Sequence, residues 1–93
     1  MQRRNLGRSG LLVSLVGLGC NNFGERIDLE ATRKVVHKAL DLGINLFDTS
    51  DSYGKRGGSE TFLGQVLGER RKEIILATKF CSPMDDAELL KGA

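Results

Sequence analysis

The chain has 93 residues, which is enough for one small domain, so residues 1–93 are treated as a single unit. Hydrophobic residues make up 40% and charged residues 28%, a composition that excludes a disordered segment. The net charge is +2, and the 14 basic residues are scattered among 12 acidic ones, which argues against a nucleic-acid partner. No apolar run approaches the roughly 20 residues that cross a membrane, so no membrane partner is expected.

The two cysteines, Cys20 and Cys81, match no spacing typical of zinc or redox sites. We therefore expect two free thiols in a reducing, cytoplasmic compartment and no bound metal. An alternative is that Arg3-Arg4, ahead of an apolar run that ends at Cys20, belongs to a twin-arginine or lipoprotein signal. The polar turn at 7–10 interrupts that pattern, and the same residues fit a hairpin followed by a strand.

The first predicted elements are short strands. Apolar segments at Arg4–Leu6 and Leu11–Val13 flank a glycine-containing turn, a pattern typical of a β-hairpin. Leu15–Leu18 then predicts a buried strand. The polar, glycine-bearing stretch 20–27 predicts a loop.

A helix is predicted next. Asp28 is suited to cap its N-terminus, and Glu30 in the first turn suits the helix dipole. Apolar residues recur at helical spacing along one side: Ala31, Val35, Val36, Ala39, Leu40 and Leu42. Gly43 suits the C′ position, where the backbone becomes left-handed. The apolar segment Ile44–Asp48 predicts the following strand.

The second half repeats this pattern. Ser59 is the predicted cap of a second helix, whose apolar stripe is Phe62, Leu63, Val66 and Leu67. Ile74–Lys79 predicts another strand, and Asp85–Lys91 the start of a third helix. The strands recur about every 30 residues with a helix between them, which is the spacing of βαβ units. The predicted class is therefore α/β with a parallel sheet and right-handed crossovers.

Two charged residues are placed at the carboxyl ends of predicted strands, where α/β proteins form their active sites. Asp48 ends one strand and Lys79 ends the next. Neighbouring strands lie about 4.8 Å apart, so the two side chains can pair if these strands are adjacent. The simplest interpretation is a salt bridge that closes the end of the sheet.

Tyr53 favours a catalytic interpretation of this pair. A phenol ionises near pH 10 and is a weak acid at neutrality, but a nearby ammonium favours the ionised form. A tyrosine beside Lys79 could therefore donate a proton to a carbonyl oxygen, with Asp48 holding the lysine charged. The alternative is that Tyr53 is a loop aromatic covering the end of the sheet.

Other candidate motifs are weaker. Gly17-Leu18-Gly19 follows a strand, but the third glycine of a dinucleotide-binding fingerprint would fall at Asn22, and the helix begins only near Asp28. His37 lies within the first predicted helix, away from the strand ends. We interpret it as a helix-face residue and not as a catalytic base.

Together, several segments resemble the aldo-keto reductase family over nearly the whole chain. The segments that carry the resemblance are Leu6–Ser14, Gly17-Leu18-Gly19, Phe47–Gly54, Ser59-Glu60 with Leu63-Gly64, and Ala77-Thr78-Lys79. The resemblance implies a (β/α)8 TIM barrel. This chain would be the N-terminal part of that barrel, with its leading β-hairpin and about three of its eight strands.

The resemblance also implies an activity, the NADPH-dependent reduction of an aldehyde or ketone to an alcohol. Asp48, Tyr53 and Lys79 match the family's catalytic positions. Gly19, Cys20, Asn21 and Asp48 would be neighbours of the cofactor. The fourth catalytic residue of the family, a histidine after the next strand, would lie beyond residue 93.

These expectations describe an incomplete barrel. One sheet face, lined by Ile44, Leu46, Ile75 and Ala77, would lack its opposite wall. We therefore expect the isolated chain to be inactive and to associate with itself or with a complementing C-terminal part. Two alternatives remain open: a non-catalytic partial barrel that is an interaction module or a remnant, and a self-contained doubly wound sheet.

Overall fold

The computed structural model describes residues 1–84, so the predicted helix Asp85–Lys91 lies outside the described residues. The elements in chain order are β1 Arg3–Asn5, β2 Leu12–Ser14, β3 Gly17–Gly19, α1 Leu29–Asp41, β4 Leu46–Asp48, α2 Tyr53–Leu67, a 3₁₀-helix Gly68–Glu73 and β5 Ile75–Ala77. Strands β1 and β2 form the antiparallel hairpin, and β3, β4 and β5 form a parallel sheet in that order. The predicted α/β class is confirmed.

The hairpin is fastened to the parallel sheet by one buried side chain. Asn45, which is 5% exposed and precedes β4, accepts from the Ser14 backbone N–H at 2.6 Å and donates to the Leu12 carbonyl at 3.0 Å. Its own N–H donates to Ser14 Oγ at 3.0 Å. The hairpin therefore covers the end of the sheet at which β4 begins, opposite to the end where Asp48 stands.

The parallel strands are shorter than their apolar patterns predicted. Leu15 and Val16, predicted to lie in a buried strand, are each 52% exposed, and β3 begins only at Gly17. Ile44 also precedes its strand. It lines a groove with α1 and packs against the core on the helix side, so the prediction that it shares a face with Leu46 is wrong. Alternation of side chains holds only within the strand, and Gly43, with φ +87°, turns the chain just before it.

Helix α1 begins and ends as predicted. Asp28 Oδ1 accepts from the Ala31 N–H at 2.9 Å, which satisfies one of the free amides of the first turn. At the other end, Gly43 is left-handed and its N–H donates to the Leu40 carbonyl. Its fully or nearly buried residues are Thr32, Val36 and Ala39.

Helix α2 differs from prediction at its start. It begins at Tyr53, and its next four residues, Gly54 to Gly57, have positive φ angles before the right-handed helix continues. The right-handed helix therefore begins after Gly57, near the predicted start, and Ser59 lies in its first turn rather than at the N-cap position before it. Its hydroxyl is buried and donates to the Cys20 carbonyl at 2.7 Å instead.

The core lies between the sheet and the two helices. Leu18, Phe47 and Leu76 stand in register on the three strands, and all three belong to or pack against the buried cluster. The opposite sheet face is partly open: Leu46 and Ile75 are half-buried and Ala77 is exposed. Among the described residues, no helix is long and apolar enough to cross a membrane.

Candidate active site

The three residues predicted to be catalytic meet at the carboxyl end of the parallel sheet. Asp48 is the last residue of β4, Tyr53 is the first residue of α2, and Lys79 follows β5 by two positions. Lys79 Nζ lies 2.7 Å from Asp48 Oδ1 and 3.2 Å from Tyr53 OH. The sheet register, with Asp48 opposite Ala77, carries the lysine to this position.

Lys79 also contacts the backbone and the tyrosine ring. Its Nζ donates to the Thr49 carbonyl at 2.8 Å and lies 4.8 Å from the centre of the Tyr53 ring, within the range of a cation–π contact. The hydrogen bond to Asp48, followed by that to Tyr53, raises the pKa of Lys79 above its ordinary value. The lysine is therefore held in its charged form.

The cluster opens to solvent on one side. The side chains of Lys79 and Asp48 are 48% and 56% exposed. An ion pair this exposed is screened by water and contributes little to stability. Chemically, a phenol that is hydrogen-bonded to an ammonium can donate its proton to an oxygen that gains negative charge.

The turn after Tyr53 is set by close backbone contacts. Gly54 has φ +73°, and a Cβ there would overlap the Phe23 carbonyl oxygen and stand 2.6 Å from the Ser59 nitrogen. A Cβ on Gly24, with φ +86°, would stand 2.7 Å from the Gly58 carbonyl carbon. These glycines let the loop after β3 and the start of α2 touch, which fixes the residue that follows the tyrosine.

The residues predicted to neighbour the cofactor lie at the end of β3, beside Asp48. Gly19 is in register with Asp48, and Gly19 and Asn21 are exposed. Cys20 is 0% exposed, and burial raises the pKa of its thiol to about 12. Its N–H donates to the Asp48 carbonyl at 2.9 Å. The Cys20 thiol is thus buried at this edge of the sheet, and its place beside the cofactor stays a prediction.

A buried hydroxyl pair that was not predicted from the sequence lies behind this cluster. Thr49 and Ser59 are both 0% exposed, and their hydroxyl oxygens lie 2.8 Å apart. One signal in the sequence could have indicated the pair. Thr49 is polar, but side-chain alternation places it on the same side of the chain as the apolar Phe47, opposite to Asp48. In residues 1–84, no group of three or more His, Cys, Asp or Glu side chains could hold a metal ion.

Comparison with known proteins identifies the family of this chain. The profile of the Aldo/keto reductase family matches residues 15–92. A protein of Bacillus subtilis named "Uncharacterized oxidoreductase YqkF" is 42% identical over 86 residues, which cover 92% of this chain and 27% of that protein. A protein of Arabidopsis thaliana named "Probable voltage-gated potassium channel subunit beta" is 37% identical over 83 residues, covering 85% of this chain and 25% of that protein.

A solved structure agrees with the fold. The aldo-keto reductase AKR11C1 from Bacillus halodurans, in its holo form, superposes with a TM-score of 0.84 at 40% identity, covering 98% of this chain and 30% of that one. The chain thus spans less than a third of the length of these relatives. The open sheet corresponds to three strands of the eight-stranded barrel of such enzymes. The chain belongs to the aldo/keto reductase family.

Proposed function

We propose that this chain supplies the proton-donating part of an NADPH-dependent carbonyl reductase, which acts once the barrel is complete. The observation that carries the proposal is the contact of one ammonium, Lys79 Nζ, with both Asp48 Oδ1 and Tyr53 OH. Family membership supports an oxidoreductase, and the relative from Bacillus halodurans is described as a holo form. A cytoplasmic location is part of the proposal, and the two unpaired thiols support it.

When bound, NADPH would supply the hydride that reduces the carbonyl carbon of the substrate. The phenol of Tyr53 gives its proton to the carbonyl oxygen, so that the product is an alcohol. Lys79 stabilises the phenolate that remains, since its ammonium is already bonded to that oxygen. Asp48 keeps the lysine charged and directed at the tyrosine.

The residues around Asp48 fit a flat ring at this edge of the sheet. The two positions in register with Asp48 carry either no side chain or a methyl group, namely Gly19 and Ala77. A Cβ built on Gly19 would meet nothing within 4 Å, which leaves open space beside the carboxylate. Gly19, Asn21 and Asp48 are therefore the residues that would lie against the nicotinamide end of NADPH.

A second candidate is a non-catalytic interaction module. The name of the Arabidopsis relative describes a channel subunit rather than a reductase. If this chain served only as such a module, Tyr53 would be a packing residue, and its hydroxyl would be dispensable.

The test requires a complete barrel, which joins residues 1–93 to the remainder of the Bacillus halodurans relative in place of that protein's matching segment. We expect it to oxidise NADPH when an aldehyde is added. Replacing Tyr53→Phe removes the proton donor but keeps the ring, so turnover should fall by about 10²- to 10⁴-fold while NADPH binding is retained.

The matched control is Gln65→Ala, on the exposed side of α2, which should leave turnover within twofold of the parent. Full activity of the Tyr53→Phe protein would reject the assignment. Absence of turnover in a folded parent that binds NADPH would favour the interaction module.

A further inference from the structure

The buried hydroxyls of Thr49 and Ser59 belong to a chain of hydrogen bonds in which the donor and acceptor of each bond can be assigned. Ser59 Oγ lies 2.7 Å from the Cys20 carbonyl oxygen, which can only accept, so the single proton of Ser59 points there. The remaining contact of Ser59, at 2.8 Å, is with Thr49 Oγ1. Thr49 must therefore donate to Ser59, which in turn donates to Cys20.

The peptide unit between Asp48 and Thr49 is itself held by two backbone hydrogen bonds. The Thr49 N–H donates to the Ala77 carbonyl on β5 at 2.8 Å, and the Cys20 N–H donates to the Asp48 carbonyl at 2.9 Å. With its N–H and its hydroxyl both held, Thr49 has one backbone group left, the carbonyl. That carbonyl accepts from Lys79 Nζ at 2.8 Å.

We propose that Thr49 and Ser59 are positioning residues for Lys79. The hydrogen-bonded hydroxyl pair fixes the position of Thr49. The backbone carbonyl of Thr49 then holds the lysine ammonium between Asp48 and Tyr53. The inference rests on the proposed function only for its effect on turnover. The positions of the groups themselves do not depend on which carbonyl compound is reduced.

The exposure of the site explains why such a support is needed. Lysine has a flexible four-carbon stem, and the pair with Asp48 is too exposed to fix it by charge alone. A fixed carbonyl adds a geometric constraint that solvent cannot screen, because the Thr49 side chain behind it is buried. A simpler alternative is that the two hydroxyls serve only to provide the buried Cys20 carbonyl with a hydrogen-bond donor.

The test uses the complete barrel and two substitutions at one position. Thr49→Val keeps the shape of the side chain and loses the hydroxyl, while Ser59 can still donate to Cys20. Thr49→Ser restores the hydroxyl. The readouts are the pH titration of Lys79, followed by ¹³C labelling of lysine and assigned with a Lys79→Arg variant, and the kcat and KM for an aldehyde.

For Thr49→Val we expect a lower pKa of Lys79 than in the parent and a fall in kcat of about tenfold, with KM within about twofold, as for a displaced reacting group. Thr49→Ser should return both values close to those of the parent. Ser59→Ala, which removes the acceptor of the Thr49 proton, should change both readouts in the same direction as Thr49→Val.

An unchanged Lys79 titration in folded Thr49→Val would overturn the proposal, as would a Thr49→Ser protein as impaired as Thr49→Val. Failure of both Thr49→Val and Ser59→Ala to fold would assign the pair to the fold alone, which also overturns it. If no form turns over an aldehyde, the proposed function fails, and the lysine titration still decides the positioning role.

Discussion

At the scale of single residues, Lys79 has an acceptor for each of its three N–H groups. Asp48 Oδ1, the Thr49 carbonyl and Tyr53 OH lie within 2.7 to 3.2 Å of its nitrogen. An ammonium has three donors, so these three contacts use all of them. In the proposed reaction, Lys79 would therefore act on the substrate through Tyr53 rather than by direct contact.

The pH dependence of the site follows from the same contacts. The pKa of Lys79 is raised, and Asp48 is the largest cause. A basic group whose pKa is raised by folding contributes fully to folding stability below its pKa in the unfolded state, which is about 10.4 for lysine. That contribution is lost as the pH rises through its pKa in the folded state. We expect the alkaline limb of kcat/KM of the complete barrel to move to lower pH in Asp48→Asn, because the main partner of the ammonium is lost. A limb that stays in place or moves to higher pH would contradict this.

The two thiols should differ sharply in reactivity. Cys20 is buried and its thiol pKa is raised to about 12, whereas Cys81 is exposed. Thiolates are the reactive form, so only Cys81 should react with a thiol reagent at pH 8. We expect one reacting thiol per folded chain and two in denaturant, with Cys81→Ser leaving none in the folded form. Rapid reaction of Cys20 would show that this edge of the sheet opens readily.

Much of the residue-scale site was predictable. Asp48 and Lys79 stand at the ends of apolar runs, and strand ends are where parallel sheets place functional groups. The roles of Thr49 and Cys20 were not predictable in the same way. Both contribute backbone groups to the site, and a backbone carbonyl has no signature in the identity of its residue.

At the scale of elements, the start of α2 is the segment that most constrains Tyr53. Gly54 to Gly57 have positive φ angles, and two of the four, Lys55 and Arg56, are not glycine. A left-handed conformation costs an ordinary residue about 1–2 kcal/mol. Neither residue type favours this conformation, so the left-handed turn was not predicted, whereas the right-handed part of α2 begins after Gly57, near the predicted start at Ser59.

Glycine substitutions in α2 test this account. Gly54→Ala introduces a methyl group that would overlap the Phe23 carbonyl, so we expect a loss of at least about 2 kcal/mol in the free energy of unfolding. The matched control is Gly64→Ala in the same helix, where a Cβ meets nothing within 4 Å. It should be neutral or stabilise by up to about 1 kcal/mol. Urea unfolding of the complete barrel measures both, and equal effects would reject the steric explanation.

Helix α1 and the strands show what patterning can and cannot predict about elements. The cap at Asp28 and the glycine at Gly43 act locally, so the helix boundaries were predicted. Strand length depends instead on which residues find a partner strand. Leu15 is apolar but 52% exposed, since pairing with β4 begins only at Gly17.

At the scale of the whole molecule, apolar surface remains uncovered. Besides the open sheet face, a groove of about 390 Å³ runs along α1 and is lined by Leu18, Lys34, Val35, Lys38, Ala39, Leu42 and Ile44. Roughly 300 Å² of apolar surface left in water forgoes about 7 kcal/mol of burial, which is comparable to the stability of a small domain. We propose that this surface is covered by a second copy of the chain or by a complementing barrel part.

This proposal predicts the behaviour of the isolated 93-residue chain. Sedimentation should show association that increases with concentration, and the chain should neither bind NADPH tightly nor reduce an aldehyde. Adding two charges in the groove, as Val35→Glu and Leu42→Glu, should weaken the association; both residues are already exposed, at 39% and 52%, so the fold should tolerate them. A monodisperse monomer with strongly protected amides in β4 and β5 would contradict the proposal.

The consecutive strand order has a further consequence for how the site comes into being. Lys79 is 31 positions from Asp48 and 26 from Tyr53 in the sequence. All three side chains of the site are therefore joined by contacts of modest sequence separation. Contacts between neighbouring units of a chain form faster than distant ones, because less loop entropy is lost before they form. During synthesis, the tyrosine can therefore meet its lysine as soon as β5 pairs with β4, without waiting for any later strand.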